Sequence, residues 1–329
     1  MTRALVVGGT RFVGRHTVEE FLDAGYEVTI FNRGNHENPF DGDGRVERVE
    51  GDRTVEGEVK RAAMDVDPDV VVDCVAYHPR DVRVATEAFA DADAYVSVSS
   101  GAAYGANRIP KREDETPLHD CSTEQAVDDS DESYGPRKAA GDRAVYEAAE
   151  RGVNAMSVRP PVVYGPHDYT ERFAYWVDRV ESFDRVVVPG DGTNIWHLVY
   201  VEDVASALRT VAEEGEPGET YNVGDGHAPT LGEWVERIAE ACETTVERVF
   251  AGPRELAAAD LDLSDFPLYR PYPHLLSTAK LRSLGWRSTD HEAALAATVA
   301  DHRESGRTGR ENGPDREAEE RVLSILDTV

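Results

Sequence analysis

The sequence predicts an α/β fold, a doubly wound parallel sheet followed by a smaller C-terminal α+β lobe. Short apolar runs at Ala4 to Val7, Val28 to Phe31, Val70 to Val75, Tyr95 to Val98 and Ala155 to Val158 have the length and character of buried strands. Amphipathic segments separate them, as with Gly14, Val18, Phe21 and Leu22 on one helical face. From about Pro160 the alternation loosens into mixed helices, short strands and proline-rich loops, including "YRPYPHLL" at Tyr269 to Leu276. Alternating strands and helices build a parallel sheet with helices on both faces. The expected division is a first domain over 1–160, joined by later segments near 185–225, and a second lobe over 161–329.

The first strand runs into "VVGGTRFVGR", Val6 to Arg15. A strand, a glycine turn and a helix in that order form the layout of a dinucleotide-binding loop. Gly8 and Gly9 allow a tight turn and close approach of backbone to a pyrophosphate, and Gly14 allows close helix-to-sheet packing. Thr10, Arg11, Phe12 and Val13 complete the loop, with the helix N-terminus facing the anion. Dinucleotide loops commonly place a further glycine where Arg11 stands.

The second strand ends in Asn32 and Arg33, with no acid. A carboxylate there would bind the ribose 2′-hydroxyl of NAD, whereas arginine accommodates a 2′-phosphate. The sequence therefore favours NADP(H) over NAD(H), with Arg11 and Arg33 as a two-arginine clamp on that phosphate. The plainer alternative is that Asn32 and Arg33 turn the chain and Arg11 is an exposed arginine that the position tolerates.

Further along, "YVSVSSGAAYG" delivers Ser99 and Ser100 to the carboxyl end of a strand, the edge where open α/β sheets bind ligands. The stretch Glu113 to Glu132 carries nine carboxylates and no Lys or Arg, the pattern of a solvated loop. Then "SYGPRKAAGDRAV" sets Tyr134 and Lys138 at i and i+4 on one helical face. An ammonium one turn from a phenol stabilises its phenolate and suits it to general-base work, with a serine hydroxyl polarising the same substrate oxygen. The final "ERVLSILDTV" reads as an amphipathic helix.

Composition narrows the function. The chain has 329 residues, 40% hydrophobic, with a formal charge of −29, which argues against nucleic acid as a partner because phosphate attraction supplies most of that affinity. The lysines are only Lys60, Lys111, Lys138 and Lys280, and an acidic coat so poor in lysine suits a halophilic solvent. Cys74, Cys121 and Cys242 are scattered and in no C-x-x-C pair, so neither disulfides nor a metal site is expected. With no signal-peptide pattern at Met1 and no long apolar run, the expectation is a soluble cytoplasmic protein without a membrane partner.

In combination, the glycine turn, the "SVSS" strand and the Tyr-x-x-x-Lys helix resemble the extended short-chain dehydrogenase/reductases, the NAD-dependent epimerase/dehydratase family. Further matches are "GDR" at Gly51 to Arg53, "VRPPVVYGP" at Val158 to Pro166, "VYVEDVA" at Val199 to Ala205, "YNVGDG" at Tyr221 to Gly226 and "STAKLRSLGW" at Ser277 to Trp286. The resemblance implies a Rossmann domain and hydride transfer between a substrate carbinol carbon and nicotinamide. It implies Ser100, Tyr134 and Lys138 as the catalytic set, with Lys138 also holding the nicotinamide ribose. Asp52, beside Arg53, matches the adenine contact, Val75, Ala76 and Tyr77 the loop under the cofactor's middle, and Pro161 and Val162 the passage beside the nicotinamide. It also implies a homodimer through helices that include the Tyr-x-x-x-Lys helix.

The chain departs from that pattern in two places. Gly101 and Ala102 stand where dehydratases of the family carry an Asp-Glu pair, which argues against a 4,6-dehydratase. Val162 and Trp196 stand where nucleotide-sugar enzymes commonly have Asn and Arg, which weakens the case for a nucleotide-sugar 4-epimerase proper. Tyr104, Tyr164, Trp196, His197 and Arg270 are the candidate contacts to a small-molecule substrate, or else core residues. The "GGTRF" opening also resembles an atypical branch that includes plastid stem-loop RNA-binding proteins. RNA binding without catalysis is thus the alternative function, opposed by the lack of a basic, aromatic-interleaved strip.

Overall fold

The computed structural model describes residues 2–328, which divide into two compact units. In chain order the elements begin β1 (Arg3–Val7), α1 (Phe12–Asp23), β2 (Glu27–Asn32), β3 (Val46–Glu50), α2 (Glu56–Val66), β4 (Val70–Asp73) and α3 (Pro79–Ala88). They continue with β5 (Ala94–Val98), α4 (Asp131–Glu150), β6 (Ala155–Arg159), β7 (Val162–Tyr164), α5 (Arg172–Ser182), β8 (Arg185–Pro189) and β9 (Leu198–Tyr200). The remainder are α6 (Val201–Glu214), β10 (Thr220–Asn222), α7 (Leu231–Ala241), β11 (Glu247–Ala251), α8 (Pro253–Ala257), α9 (Ala279–Ser283), α10 (His291–Ser305) and α11 (Arg316–Leu326).

Unit 1 comprises Met1–Pro161, Val201–Gly224 and Leu276–Ser288, so the chain returns to it at Val201, where the sequence suggested a return near residue 185. Its seven strands run in the order β10-β6-β5-β4-β1-β2-β3, and every pair is parallel. Leu5, Phe31, Val71 and Tyr95 point to one face, where Val59 and Ala62 of α2, Val82 and Ala85 of α3, and Ala144 and Val145 of α4 cover them. Helices α1 and α6 pack together, with α6 over β5 and β6. Each of these large apolar side chains contributes roughly 1.5–3 kcal/mol by burial.

Two details depart from expectation. The edge strand β3, "VERVE", was not foreseen, because its alternating charges suit an exposed edge rather than an apolar run. And β4 stops at Asp73, short of Val75, because the Asp73 Oδ1 accepts the Val75 N–H at 3.1 Å and turns the chain out of the sheet. The acidic stretch 113–132 holds one isolated bridge from Leu118 to Tyr104, one short 3-10 turn at Gln125–Val127 and the start of α4.

A buried polar cluster ties β6, β10 and α4 together. Arg159 and Asp142 are fully buried and joined at 2.8 Å, and the Arg159 guanidinium also donates to the Tyr146 hydroxyl at 2.8 Å. It lies over the Tyr104 ring at 4.8 Å, and the Tyr104 hydroxyl donates to Asn222 at 2.8 Å.

Unit 2 comprises Val162–Tyr200, Asp225–Leu275 and Thr289–Val329 and holds two parallel strand pairs, β8 with β11 and β7 with β9. Its core is aromatic: Tyr164 stacks on Phe173 at 4.9 Å, and Trp234 meets both edge-on at 5.5 Å. His291 lies 4.9 Å from Trp234, and burial lowers its pKa to about 4. No described helix is long and apolar enough to cross a membrane.

These interiors make stability testable at two residues. Asp142→Ala leaves the Arg159 guanidinium buried without its partner and should cost about 3–5 kcal/mol in urea unfolding; a loss under about 1 kcal/mol would contradict the pairing. His291 binds its proton in the unfolded chain before it does so in the folded one, so its contribution to stability falls as pH drops from about 6.5 toward 4. His291→Phe should therefore lose less Tm than the parent between pH 7 and 4.5, and an equal loss would remove His291 from the acid limb.

Candidate active site

Because the sheet of unit 1 is parallel, the segments following β1, β2, β4, β5 and β6 all emerge at its carboxyl edge. The glycine turn is built by close approach. Gly8 has φ +91°, and a Cβ there would lie 2.6 Å from Val75 Cγ1. A Cβ on Gly14 would lie 2.2 Å from the Gly8 carbonyl oxygen, so α1 can press against the turn only with glycine at that position. Gly9 faces Val18 and Ile30, Thr17 Oγ1 donates to the Val13 carbonyl at 2.7 Å, and buried Phe12 opens α1 at φ +36°. No acidic side chain occupies the first turn of α1, so its amide groups can receive an anion.

Arg11 is extended at φ −134°, ψ 144°, a conformation any residue adopts, which explains how arginine replaces glycine here without strain. Its side chain is exposed, with Nη1 3.5 Å from His36 Nε2 on the loop after β2. Arg33 is exposed on the same loop. Asn32 accepts the Gly34 N–H at 2.9 Å, and its Nδ2 donates to Thr10 Oγ1 at 3.4 Å, stitching that loop to the glycine turn. Asp52 Oδ1 accepts from Thr54 N and Oγ1 at 2.9 and 2.7 Å.

The Arg53 guanidinium turns inward and pairs with fully buried Asp73, with Asp81 3.4 Å away. Asp73 also accepts from the Tyr95 hydroxyl at 3.1 Å, and Asp81 accepts the Tyr77 and His78 N–H groups at 3.1 and 3.0 Å. Burial works against the Arg53 charge, yet Asp73, Tyr95 and Asp81 outweigh it and raise its pKa. This network holds the Val75–Tyr77 loop from below. Asp73, Asp81 and Tyr95 were not singled out in the sequence; an aspartate closing an otherwise all-valine run was the available signal.

Lys138 lies on α4 and is buried. Its ammonium donates to the Ala76 carbonyl and to the Val98 carbonyl, each at 2.9 Å. Three N–H bonds are available to an ammonium, so one remains. It sits 5.9 Å from the Tyr134 ring centre and 5.1 Å from that of Tyr77. Ser100 Oγ accepts the Ala102 N–H at 3.1 Å, and the neighbouring Ser99 Oγ is buried without a hydrogen-bond partner. The Gly101 N–H binds the Pro160 carbonyl at 2.8 Å, which fixes the chain leading to Pro161.

The proposed substrate contacts divide. Tyr104 in unit 1, and Tyr164 and His197 in unit 2, are buried. The Tyr104 hydroxyl, pushed up to about 12 by burial, is bonded to Asn222, Tyr164 belongs to the aromatic core, and His197 Nε2 lies 3.0 Å from the Asp225 carbonyl. All three pack within the interior of their own units. Trp196 and Arg270 of unit 2 are half-buried and stacked at 4.9 Å, while Val162 is buried in β7, paired with Leu198 of β9.

The Chloroplast stem-loop binding protein of 41 kDa b from Arabidopsis thaliana is 26% identical, over 73% of this chain and 62% of that protein, so the chain spans less than two thirds of its length. The Low-salt glycan biosynthesis protein Agl12 from Haloferax volcanii is 27% identical, over 72% of this chain and 81% of that protein. The UDP-glucose 4-epimerase of Thermus thermophilus, solved in complex with NAD, shares the fold with a TM-score of 0.70, at 24% identity over 92% of this chain and 99% of that one. The dTDP-glucose 4,6-dehydratase of Bacillus anthracis, also solved with NAD, gives 0.71 at 20% identity, over 92% and 97%. Residues 4–224, from β1 to just beyond β10, match the NAD dependent epimerase/dehydratase family, and the chain belongs to that family.

Proposed function

We propose that this protein is an NAD(P)-dependent oxidoreductase or epimerase acting on a carbinol carbon of a sugar-like or other small hydroxy or keto compound. The observation that carries the reading is Lys138, a buried ammonium on the helix of Tyr134 with two N–H bonds committed to the carbonyls of Ala76 and Val98 and a third remaining. The glycine cradle, the acid-free N-terminus of α1 and the unpartnered Ser99 hydroxyl fit a dinucleotide at this edge. A nicotinamide bound there supplies the hydride donor or acceptor.

The chain's own residues do the rest. Gly8 to Gly14 would receive the pyrophosphate on backbone amides, Asp52 would contact the adenine, and Val75, Ala76 and Tyr77 would line the cofactor's middle. Lys138 would hold the nicotinamide ribose and stabilise negative charge on the Tyr134 oxygen. Tyr134 would take or return the hydroxyl proton while Ser100 orients the same oxygen. Gly101 and Ala102 have no proton to give, so we read the reaction as hydride transfer without elimination of a neighbouring hydroxyl. Arg11 and Arg33, with no acid at Asn32, support NADP(H) as the cofactor. RNA binding is the second reading, motivated by the name of the Arabidopsis relative, and the charge of −29 works against it.

Tyr134→Phe removes one hydroxyl from a partly exposed ring. It should cut NADPH oxidation by any carbonyl compound the parent reduces by roughly 10²–10⁴-fold while leaving NADPH affinity unchanged; retained turnover would exclude Tyr134 as the base. Arg11→Gly and Arg33→Ser should each weaken NADPH binding by about tenfold or more and leave NADH binding unaltered. Equal effects on both cofactors would return these arginines to a structural role.

A further inference from the structure

The turn of α4 that carries Tyr134 is a weak helix start. Gly135 and Pro136 follow Tyr134 directly, glycine being a poor helix former and proline lacking the N–H that would bond the Glu132 carbonyl. The first N–H groups of a helix find no acceptor within it, and Ser130 at the N-cap makes no side-chain cap, its hydroxyl going to Asp128 instead. No better helix former fits at position 135, since a Cβ there would lie 2.6 Å from the Ala102 carbonyl oxygen. This turn therefore depends on contacts from outside the helix.

Those contacts come from the end of the acidic stretch. Asp129 Oδ1 accepts from Arg137 Nη1 at 2.9 Å and lies 3.1 Å from His78 Nε2, with Arg137 Nη1 also 3.4 Å from that ring nitrogen. Arg137 Nη2 donates to the Ser130 carbonyl at 3.4 Å, and His78 Nδ1 lies 3.1 Å from the Ala126 carbonyl in the 3-10 turn. Asp128 Oδ2 accepts the Ser133 hydroxyl at 2.6 Å, and its bonds from Ser130 and Ser133 lower its pKa. The Arg137 side chain is only 5% exposed and that of Asp129 is 87% exposed, so a buried cation on α4 fastens an acid that would otherwise be solvated. His78 is fixed in turn by its own N–H on Asp81 at the start of α3. The contacts thus join α4 to the loop after β4, the same two segments that Lys138 joins through the Ala76 carbonyl.

We propose that His78, Asp129 and Arg137 form a latch that positions Tyr134. Held by the latch, the first turns of α4 keep the phenol in register with the buried ammonium one turn along, which proton transfer requires. All three are positioning residues that act through Tyr134. Because the latch acts through that phenol, it rests on the reading of Tyr134 as the base. The acidic stretch then has a use besides solvation, its last residues anchoring the helix that follows.

Hydrogen exchange of the whole chain, read by mass spectrometry, tests the latch without a substrate. Asp129→Ala, a change at an exposed side chain, should speed exchange of the Tyr134, Gly135, Arg137 and Lys138 amides by about tenfold or more, with the sheet strands keeping their protection. At saturating NADPH the same variant should lower NADPH oxidation, with the carbonyl compound used for Tyr134→Phe, by about tenfold or more and leave NADPH affinity unchanged. His78→Ala should act in the same direction, and the double variant no more than the larger single change. Glu124→Ala removes the same charge from the same stretch outside the latch and should alter neither exchange nor turnover. Unchanged exchange in Asp129→Ala, faster exchange with full turnover, additive losses in the double variant, or an equal effect of Glu124→Ala would each overturn the latch. Full turnover in Tyr134→Phe would instead overturn the reading of the base beneath it.

Discussion

The arrangement of unit 1 depends on one buried ammonium. Lys138 reaches from α4 to the carbonyls of Ala76 and Val98, which lie beyond the end of β4 and at the end of β5. A buried cation is tolerated only when its donors find acceptors, so these two carbonyls and this side chain constrain one another. The result fixes the depth of α4 against the sheet and the path of the Val75–Tyr77 loop. Tyr134, one turn earlier on α4, is therefore placed beside the strand ends by the packing that satisfies the lysine.

A second set of contacts supports the same loop from the opposite side. Asp73, Arg53, Asp81 and Tyr95 form a buried network below it, and Val75 packs against Gly8. The glycine turn, the β4 loop and the lysine are thus mechanically linked, Gly8 to Val75 and Ala76 to Lys138. Rigid support of this kind is what a site needs if reacting groups are to be held within a fraction of an ångström.

Much of this was legible in the sequence where a residue type had one physical use. Five apolar runs became strands of a parallel sheet, and Gly14, expected to be a packing glycine from its place in the loop, lies where a Cβ would come 2.2 Å from a carbonyl oxygen. Tyr134 and Lys138 share a helix face because i and i+4 always do. What stayed hidden was tertiary. Edge strand β3 is charged because it needs only one paired side, so its pattern differs from its neighbours. Arg53 lay in a recognisable motif, yet its partner Asp73 is twenty residues away and spacing does not reveal a buried pair. Nor does spacing show that the Tyr104 hydroxyl meets Asn222, that His197 meets the Asp225 carbonyl, or that the Tyr164 ring joins an aromatic core.

The most direct test of the central claim is diffraction from crystals of the whole chain grown with NADP⁺. The account predicts pyrophosphate density at the N-terminus of α1, the adenosine 2′-phosphate against Arg11 and Arg33, and the nicotinamide ribose on the remaining N–H of Lys138. Density at another place, or Lys138 holding Ala76 and Val98 with no nucleotide at that edge of the sheet under saturating NADP⁺, would contradict it.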